Sequence, residues 1–444
     1  MKTFFKGTIL LAVAAFAGEC IEFVVNMVLA RELGEQGLGM YMSILPTVFL
    51  IILLASFELP VSISKFVAEK DKNQHYRMLN YVLKWTVIFT IIVLPIVTFI
   101  IPHISVFNEF HPALKWIVIA FIPFVSFSSI ARGYFMGKNL MGKIAAANLL
   151  RKLMQLILLA SLYQMFEFSI EMAVFVAFCT LIGSEAIVFI YLIHMFVIHY
   201  QQMKRSPKEA LAGKSVRNDL LSVSIPTTGL RVFHAITHAI QPFLIKAALI
   251  KAGVGAEVAT EHFGMVAGIA MTIGFFPAFI AHSFMIMLIP TVSKEYAERN
   301  LPRLQHLLQQ VFLITFIYGI PAVLFFYIFA EKLTTEFFHS PDASVYLQLL
   351  WPFFLLHFFI IPMQAFLIGL GLMKDAFFHS VWSTIVSYAV MYFLGSMPSF
   401  QMDGIIMGIN AGAVLLMLMH YVTICKVIGV NLNLMPVKRI DFKS

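Results

Sequence analysis

Long apolar runs follow one another along almost the whole chain, and they limit the folds that it can adopt. A helix needs about 20 consecutive apolar residues to cross the hydrocarbon core of a bilayer. Apolar runs bounded by charged or Gly/Pro-rich breaks predict about twelve such spans. They lie near residues 7–30, 39–63, 79–101, 113–135, 144–165, 172–198, 219–245, 262–290, 307–329, 345–369, 376–396 and 404–425. The runs do not alternate as barrel strands do, so the sequence predicts an all-α integral membrane protein.

Composition excludes a water-soluble domain. The chain is 60% hydrophobic and 12% charged, whereas soluble domains are roughly half apolar and about a quarter charged. The N-terminal run extends to about Ala30, which is too long for the apolar region of a cleaved signal peptide, so we expect a retained first span. The three cysteines, Cys20, Cys179 and Cys425, all fall inside apolar runs and show no disulfide or metal-ligand spacing.

The distribution of positive charge predicts the orientation. With a cytoplasmic N-terminus and twelve spans, most of the 31 lysines and arginines fall on the cytoplasmic side. The outer segments then hold Arg31, Lys115, Lys246, Lys251 and Lys332. Lys and Arg resist translocation, so we expect a multi-pass protein of the cell membrane with both termini in the cytoplasm. The net charge of +8 follows from this signal and from attraction to lipid headgroups, and it requires no nucleic acid partner.

Two pairs of similar sequences indicate an internal repeat. SKFVAEK (64–70) resembles SKEYAER (293–299), and GKNLMGK (137–143) resembles GLGLMKD (369–375). The first pair ends spans two and eight, and the second follows spans four and ten. Six spans separate the members of each pair, so the sequence predicts two six-helix lobes in a parallel repeat. We expect an N-lobe at 1–200, a basic cytoplasmic linker at 201–218 and a C-lobe at 219–444.

Polar stripes on spans one and seven are the candidate functional residues. Ionised side chains in a membrane usually face a cavity or a partner. Span one carries Glu19, Glu22 and Asn26 on one helix face. Span seven carries a stripe of alternating three- and four-residue spacing: Thr227, Arg231, His234, His238 and Gln241. The repeat places spans one and seven equivalently, so both stripes are predicted to line a central cleft that opens to either side as the lobes rock.

Two interpretations of these stripes remain open. In the functional one, Arg231, with His234, His238, Thr227, Gln241 and Asn26, binds an anionic headgroup, since guanidinium matches phosphate. Glu19 and Glu22, together with Glu58 before Pro60 on span two, then serve coupling or gating, through a cation such as H⁺ or Na⁺. In the structural interpretation, Glu19 or Glu22 pairs with Arg231 and only fixes helix packing.

Other polar residues within spans carry weaker indications. Lone polar side chains in a membrane helix are more often packing residues than cavity residues; here they are Glu185, His282, His357 and Gln364. Arg151 and Lys152 open span five, and we expect them to reach the cytoplasmic face.

Known catalytic motifs are missing from the sequence. It contains no P-loop and no H-E-x-x-H sequence. We therefore expect a non-enzymatic protein without a cofactor.

Three sequence segments carry a family resemblance: LARELGEQGLGMY (29–41), RGYFMGKNLMG (132–142) and SIPTTGLRVF (224–233). In their order and span positions they resemble the polysaccharide transport family of the multidrug/oligosaccharidyl-lipid/polysaccharide (MOP) exporter superfamily. The resemblance covers the whole chain. Arg231 matches the arginine of the family's P-x-T-x-x-R motif on span seven. Glu19 and Glu22, in contrast, lie where family members often have basic residues.

The resemblance implies a MATE-like or MurJ-like V-shaped architecture. It also implies a flippase that moves lipid-linked saccharide precursors across the membrane by alternating access, in sporulation or envelope assembly. Membrane lipids and a lipid-linked saccharide or other amphiphilic substrate are then the expected partners. Two alternatives remain: a cation-coupled antiporter of small organic cations, which Glu19 and Glu22 suit, and a non-transporting membrane scaffold.

Overall fold

The structure is a computed structural model, and its described part is almost wholly helical. It describes residues 2–56, 59–103, 107, 109–204 and 213–430. The side chains of residues 2–12, 14, 55, 56, 72, 213–228, 230 and 286 lie outside the description. No strand occurs in the described ranges, so the prediction of an all-α membrane protein is confirmed.

Sixteen α-helices are present in the described residues, joined by short turns. The first seven are α1 Lys2–Ser56, α2 Leu59–Glu69, α3 Lys72–Ile100, α4 Ala113–Gly137, α5 Met141–Met165, α6 Ile170–Lys204 and α7 Gly213–Lys251. The next five are α8 Ala256–Gly264, α9 Met271–Phe275, α10 Ala278–Ala297, α11 Leu301–Ile328 and α12 Ala330–Phe338. The last four are α13 Ala343–Leu349, α14 Trp351–Gly369, α15 Met373–Gly395 and α16 Gln401–Ile428. A 3-10 turn, Ile101–His103, follows α3, and a π-helical segment, Met265–Ala270, joins α8 to α9.

The long helix α1 is broken at Gly34. A straight helix of 55 residues would be roughly 80 Å long, well over twice the thickness of the hydrocarbon core. Gly34 has φ 63° and ψ −178°, a conformation essentially restricted to glycine. Predicted span one therefore lies before Gly34, and span two begins after it and extends beyond the end of α1.

Eleven segments of the described chain are long and apolar enough to cross a membrane. The first, Ala15–Glu69, contains most of predicted span one and all of span two. The other ten overlap the predicted spans three to twelve one by one. The difference between eleven and about twelve thus lies in whether the segment around Gly34 is counted once or twice.

The chain divides into two compact units, unit 1 (Met1–Pro242) and unit 2 (Phe243–Ser444). The dividing point falls within α7, which runs on from unit 1 into unit 2. Residues 205–212 of the predicted linker lie outside the described residues. The lobe boundaries at 200 and 219 stay a prediction.

The repeated SK-containing stretches have the same local structure. Lys65 and Glu69 form an i,i+4 ion pair with 3.9 Å between Nζ and Oε1, and Lys294 and Glu298 form the same pair at 3.9 Å. Each stretch ends its helix just before the N-cap of the next one, Asp71 for α3 and Asn300 for α11. The similarity of sequence thus corresponds to a similarity of structure.

The second pair of similar sequences forms two equivalent turns. Asn139 follows α4 with φ 56°, and Gly371 follows α14 with φ 77°. The next amide closes each turn: Leu140 donates to the carbonyl of Phe135 and Leu372 to that of Leu367, both at 2.8 Å. These are the hydrogen bonds of a left-handed helix C-terminus, so α4–α5 and α14–α15 are matched pairs.

Small residues let equivalent helices pack closely in each unit. A Cβ on Gly137 of α4 would lie 2.6 Å from the carbonyl oxygen of Ser64 in α2. A Cβ on Gly369 of α14 would lie 2.7 Å from the Cβ of Val292 in α10. Membrane helices associate through such van der Waals packing, because lipid supplies little hydrophobic driving force. The α2–α4 and α10–α14 contacts therefore contribute to the cores of units 1 and 2.

Candidate functional site

A chain of charged side chains joins four helices within unit 1. We call it the charge network. It alternates acids and bases along the series Glu19, Lys152, Glu22, Arg151, Glu185 and Arg132, and ends on Asn148. With three acids and three bases, it is neutral as a whole when all six groups are ionised.

The first half of the network connects α1 to α5. The Nζ of Lys152 lies 3.2 Å from Oε1 of Glu19 and 3.5 Å from Oε2 of Glu22. It also donates a hydrogen bond to the carbonyl oxygen of Gly18 at 3.0 Å. Nη2 of Arg151 lies 3.8 Å from the same Oε2 of Glu22. Because residues three apart share a helix face, both glutamates of α1 reach the adjacent bases of α5.

The second half connects α5 to α6 and α4. The two carboxylate oxygens of Glu185 on α6 lie 3.5 Å from Nε of Arg151 and 3.5 Å from Nη2 of Arg132. Nη1 of Arg132 donates a hydrogen bond to Oδ1 of Asn148 at 2.8 Å. Asn148 precedes Arg151 by one helical turn on α5, so α5 supplies polar groups to both ends of the network.

Exposure differs between the bases and the α1 acids. The side chains of Lys152 and Arg151 are 15% and 20% exposed, whereas those of Glu19 and Glu22 are 46% and 36% exposed. The acids are thus the more accessible members. A solute that displaces them would meet the guanidinium and ammonium groups of α5.

The helix α5 begins at Met141, earlier than predicted, which places Arg151 and Lys152 about 15 Å along it. Their side chains contact the glutamates of α1. The expectation that they reach the cytoplasmic face stays a prediction. In the sequence, the signal for their role is that two adjacent charges lie inside a predicted span.

The polar stripe of span seven lies on one helix, α7. Arg231 and His238 are exposed, while His234 and Gln241 are partly buried. The side chain of Gln241 interacts with that of His238. The side chain of Thr227 lies outside the described residues, as does Glu58. Asn26 is partly buried on α1.

The structure gives Glu19 and Glu22 specific partners on α5. The binding, coupling and gating roles of the two predicted stripes, and their meeting in a cleft, stay predictions.

Unit 2 contains a pair of buried histidines that sequence analysis did not single out. His379 of α15 and His420 of α16 have their Nδ1 atoms 3.0 Å apart. His357, which was noted as a polar residue of span ten, packs its ring against Phe275 with 4.7 Å between centroids. In the described ranges no three His, Cys, Asp or Glu side chains are grouped to hold a metal ion.

Family models match most of the chain. The model of the polysaccharide biosynthesis protein family matches residues 4–295, and the MatE model matches residues 265–393. Sporulation protein YkvU of Bacillus subtilis (strain 168) is 52% identical over 434 residues, covering 98% of each chain. Stage V sporulation protein B of the same organism is 31% identical, covering 98% of this chain and 86% of that protein.

Solved structures agree on the fold. An inward-facing multidrug resistance MATE family transporter of the MOP superfamily superposes with a TM-score of 0.73 at 17% identity, covering 94% of this chain and 98% of that one. A MOP superfamily transporter from Pyrococcus furiosus, described as having a binding pocket of reverse polarity, superposes with a TM-score of 0.66 at 16% identity and covers 95% of each chain. The MATE-like fold predicted from the sequence is thus confirmed.

Proposed function

The chain belongs to the polysaccharide biosynthesis protein family, a membrane transporter family of the MOP superfamily, and from this premise we propose that it moves a lipid-linked saccharide precursor across the cell membrane. Transport proceeds by alternating access between an N-lobe (1–200) and a C-lobe (219–444), joined by the basic linker 201–218. The relatives named for sporulation support a role in spore envelope assembly. Both termini lie in the cytoplasm.

The observation that carries this proposal is the charge network of unit 1. A lipid-linked saccharide carries phosphate groups, and guanidinium and ammonium groups bind phosphate strongly. In the present arrangement Glu19 and Glu22 occupy Lys152 and Arg151. A diphosphate headgroup replaces these carboxylates and becomes the partner of the two bases. The predicted stripe of Arg231, His234 and His238 on α7 supplies further donors.

The exchange of partners also explains why the acids are present. A charged side chain without a counter-ion inside a membrane has a high free energy. The transporter without substrate therefore needs carboxylates to neutralise Arg151 and Lys152. Glu19 and Glu22 do so from a more exposed position, from which they can be displaced. In this proposal they act as gating residues that release the two bases when the substrate is bound.

A second candidate function is export of small organic cations coupled to an ion gradient. The exposure of Glu19 and Glu22, 46% and 36%, favours it, because a cation reaching the network meets carboxylates first. In that case the two glutamates bind the cargo, and Lys152 and Arg151 hold them in place.

The test uses purified protein in liposomes that contain a fluorescent lipid diphosphate saccharide. A membrane-impermeant quencher reports the fraction of the lipid in the outer leaflet over time. Wild-type protein is expected to make the inner-leaflet lipid accessible to the quencher. Arg151→Gln is expected to slow this by about tenfold, the factor given by about 1.4 kcal/mol of lost interaction.

The matched control is Lys294→Gln, which removes one positive charge from the exposed end of α10 and leaves the network intact. It should flip the lipid as fast as wild type. The proposal is contradicted if vesicles with wild-type protein flip the lipid no faster than protein-free vesicles. Equal flipping rates for Arg151→Gln and Lys294→Gln also contradict it. Gradient-driven efflux of a cationic dye without lipid flipping would establish the second function instead.

A further inference from the structure

The buried histidine pair of unit 2 lies between its two most closely packed helices. Nδ1 of His379 on α15 lies 3.0 Å from Nδ1 of His420 on α16, and Nε2 of His379 lies 3.3 Å from Oγ1 of Thr423. His379 is 7% exposed and His420 is 1% exposed. The pair sits about 10 Å from the start of α15, near one end of its span.

The distance between the two nitrogens fixes a protonation pattern. A 3.0 Å contact is a hydrogen bond, in which one Nδ1–H donates to the lone pair of the other Nδ1. A further proton binds to Nε2 of the donor ring, whose lone pair lies outside this contact. The N–H···N bond then joins an imidazolium to a neutral imidazole and becomes charge-assisted. Binding of one proton therefore strengthens the contact between α15 and α16.

The helix pair does not need histidines at this point for its packing. Counting from the matched helix starts Met141 and Met373, the place of His379 in unit 1 is taken by Ala147. Ala147 is fully buried, at 0% exposed, in an apolar core. Elsewhere α15 and α16 meet through small residues, for example Ser387, whose hydroxyl donates to the carbonyl of Gly408 at 2.9 Å.

Asp375 is the ionisable group that interacts with the pair from α15, one turn before His379. Several titratable side chains on the packed helices have contacts away from the pair. His357 of α14 packs on Phe275, Tyr318 of α11 packs on Phe358, and Tyr346 of α13 bonds to His262. On α16, Tyr421 packs on Phe312 of α11 and interacts with Cys425.

We propose that the His379–His420 pair is the proton-binding site that couples transport to a proton gradient. This inference rests on the proposed transport function and names its coupling ion. The proton binds to Nε2 of the donor ring, makes the histidine–histidine hydrogen bond charge-assisted and tightens α15 against α16. It leaves to the other side of the membrane when the pair returns to its neutral form.

The transport test imposes a pH difference of about one unit across the liposomes described above, with the membrane potential clamped. One proton moved per lipid shifts the steady-state ratio of lipid between the leaflets by up to about tenfold per pH unit. The variants His379→Gln and His420→Gln are expected to equilibrate the lipid between the leaflets, but without the shift in the leaflet ratio caused by the pH difference. His306→Gln, an exposed histidine of α11, is the control and should retain it.

A second measurement requires no transport. Nitrogen NMR of ¹⁵N-histidine protein in nanodiscs should show the pair binding one proton between about pH 5 and 8, where histidine changes its charge. A wild type that flips lipid without any pH-gradient effect overturns the inference, and so does a pair that binds no proton in that range. A wild type that flips no lipid, but whose pair binds the proton, contradicts the proposed function and leaves the proton site standing.

Discussion

The ammonium group of Lys152 lies 3.2 Å from a carboxylate oxygen of Glu19, although 132 residues separate them in the chain. This contact ties α5 to the first half of α1, before the break at Gly34. It also means that the most accessible acid of the network neutralises its least exposed base. Any anionic solute that binds Lys152 competes with Glu19.

Glu19→Gln and Lys152→Gln are expected to change substrate affinity in opposite directions. Glu19→Gln removes a competing carboxylate and should tighten binding of the lipid diphosphate by about two- to fivefold, the range of about 0.4–1 kcal/mol for a partly exposed ion pair. Lys152→Gln removes a phosphate ligand and should weaken it. Binding is measured by titration of detergent-solubilised protein. Weaker binding of an organic cation by Glu19→Gln, with unchanged lipid binding, would favour the cation exporter.

The ion pair of Arg151 and Glu185 is expected to stabilise unit 1. The side chains are 20% and 23% exposed, and the closest atoms lie 3.5 Å apart. A double-mutant cycle of Arg151→Gln and Glu185→Gln should give a coupling energy of about 0.5–2 kcal/mol, as for other polar contacts between membrane helices. Unfolding in mixed micelles measures it.

The control cycle is Lys294→Gln and Glu298→Gln, whose side chains are 70% and 56% exposed. Exposed helix pairs contribute about 0.3–0.5 kcal/mol. Equal coupling energies in the two cycles would show that the network is no better shielded from water than an exposed pair.

Gly137 and Gly142, five residues apart, provide a test of helix packing. A Cβ at Gly137 would lie 2.6 Å from the Ser64 carbonyl oxygen, which is a backbone atom that cannot move aside, whereas nothing lies within 4 Å of a Cβ at Gly142. Gly137→Ala should therefore lower the melting temperature. Gly142→Ala should raise the stability of α5, by up to about 1 kcal/mol from helix propensity. Equal effects of both substitutions would contradict close packing of α2 on α4.

Features that depend on neighbouring residues were predictable from the sequence. The repeat predicted from SKFVAEK and SKEYAER is present as the matched pairs Lys65–Glu69 and Lys294–Glu298. The matched turns at Asn139 and Gly371 confirm the second similarity. Helical periodicity and turn chemistry are local, so they can be read from short stretches.

Contacts between distant helices could not be predicted in this way. Glu19 and Glu22 were identified as acids within a span, but α5, which bears their partners, begins more than a hundred residues later. The choice between Arg151, Lys152 and Arg231 as partners depends on which helices are neighbours, and no period in the sequence encodes that. The His379–His420 contact was missed for the same reason, since each histidine alone looks like an ordinary polar residue of a span.

The equivalent turns predict which residues Gly371 tolerates. A left-handed conformation costs ordinary residues about 1–2 kcal/mol, and asparagine adopts it more readily. Asn139 occupies the same conformation in the first half, with φ 56° against 77° for Gly371. Gly371→Asn should therefore be nearly neutral, and Gly371→Val should lower the free energy of unfolding by about 1–2 kcal/mol or more. Similar losses for both variants would show that the turns are not equivalent.

Cysteine labelling tests the proposed orientation. In a variant in which alanine replaces Cys20, Cys179 and Cys425, a single cysteine is introduced at Lys294 or at Lys332, both of which are exposed. Intact cells are treated with a maleimide that does not cross the membrane. Lys332→Cys should react, because positive-inside topology places it outside. Lys294→Cys should react only after the cells are opened, as expected for the cytoplasmic end of α10. Reaction of Lys294→Cys in intact cells, with protection of Lys332→Cys, would invert the topology and place the repeated ion pairs and both termini on the outer face.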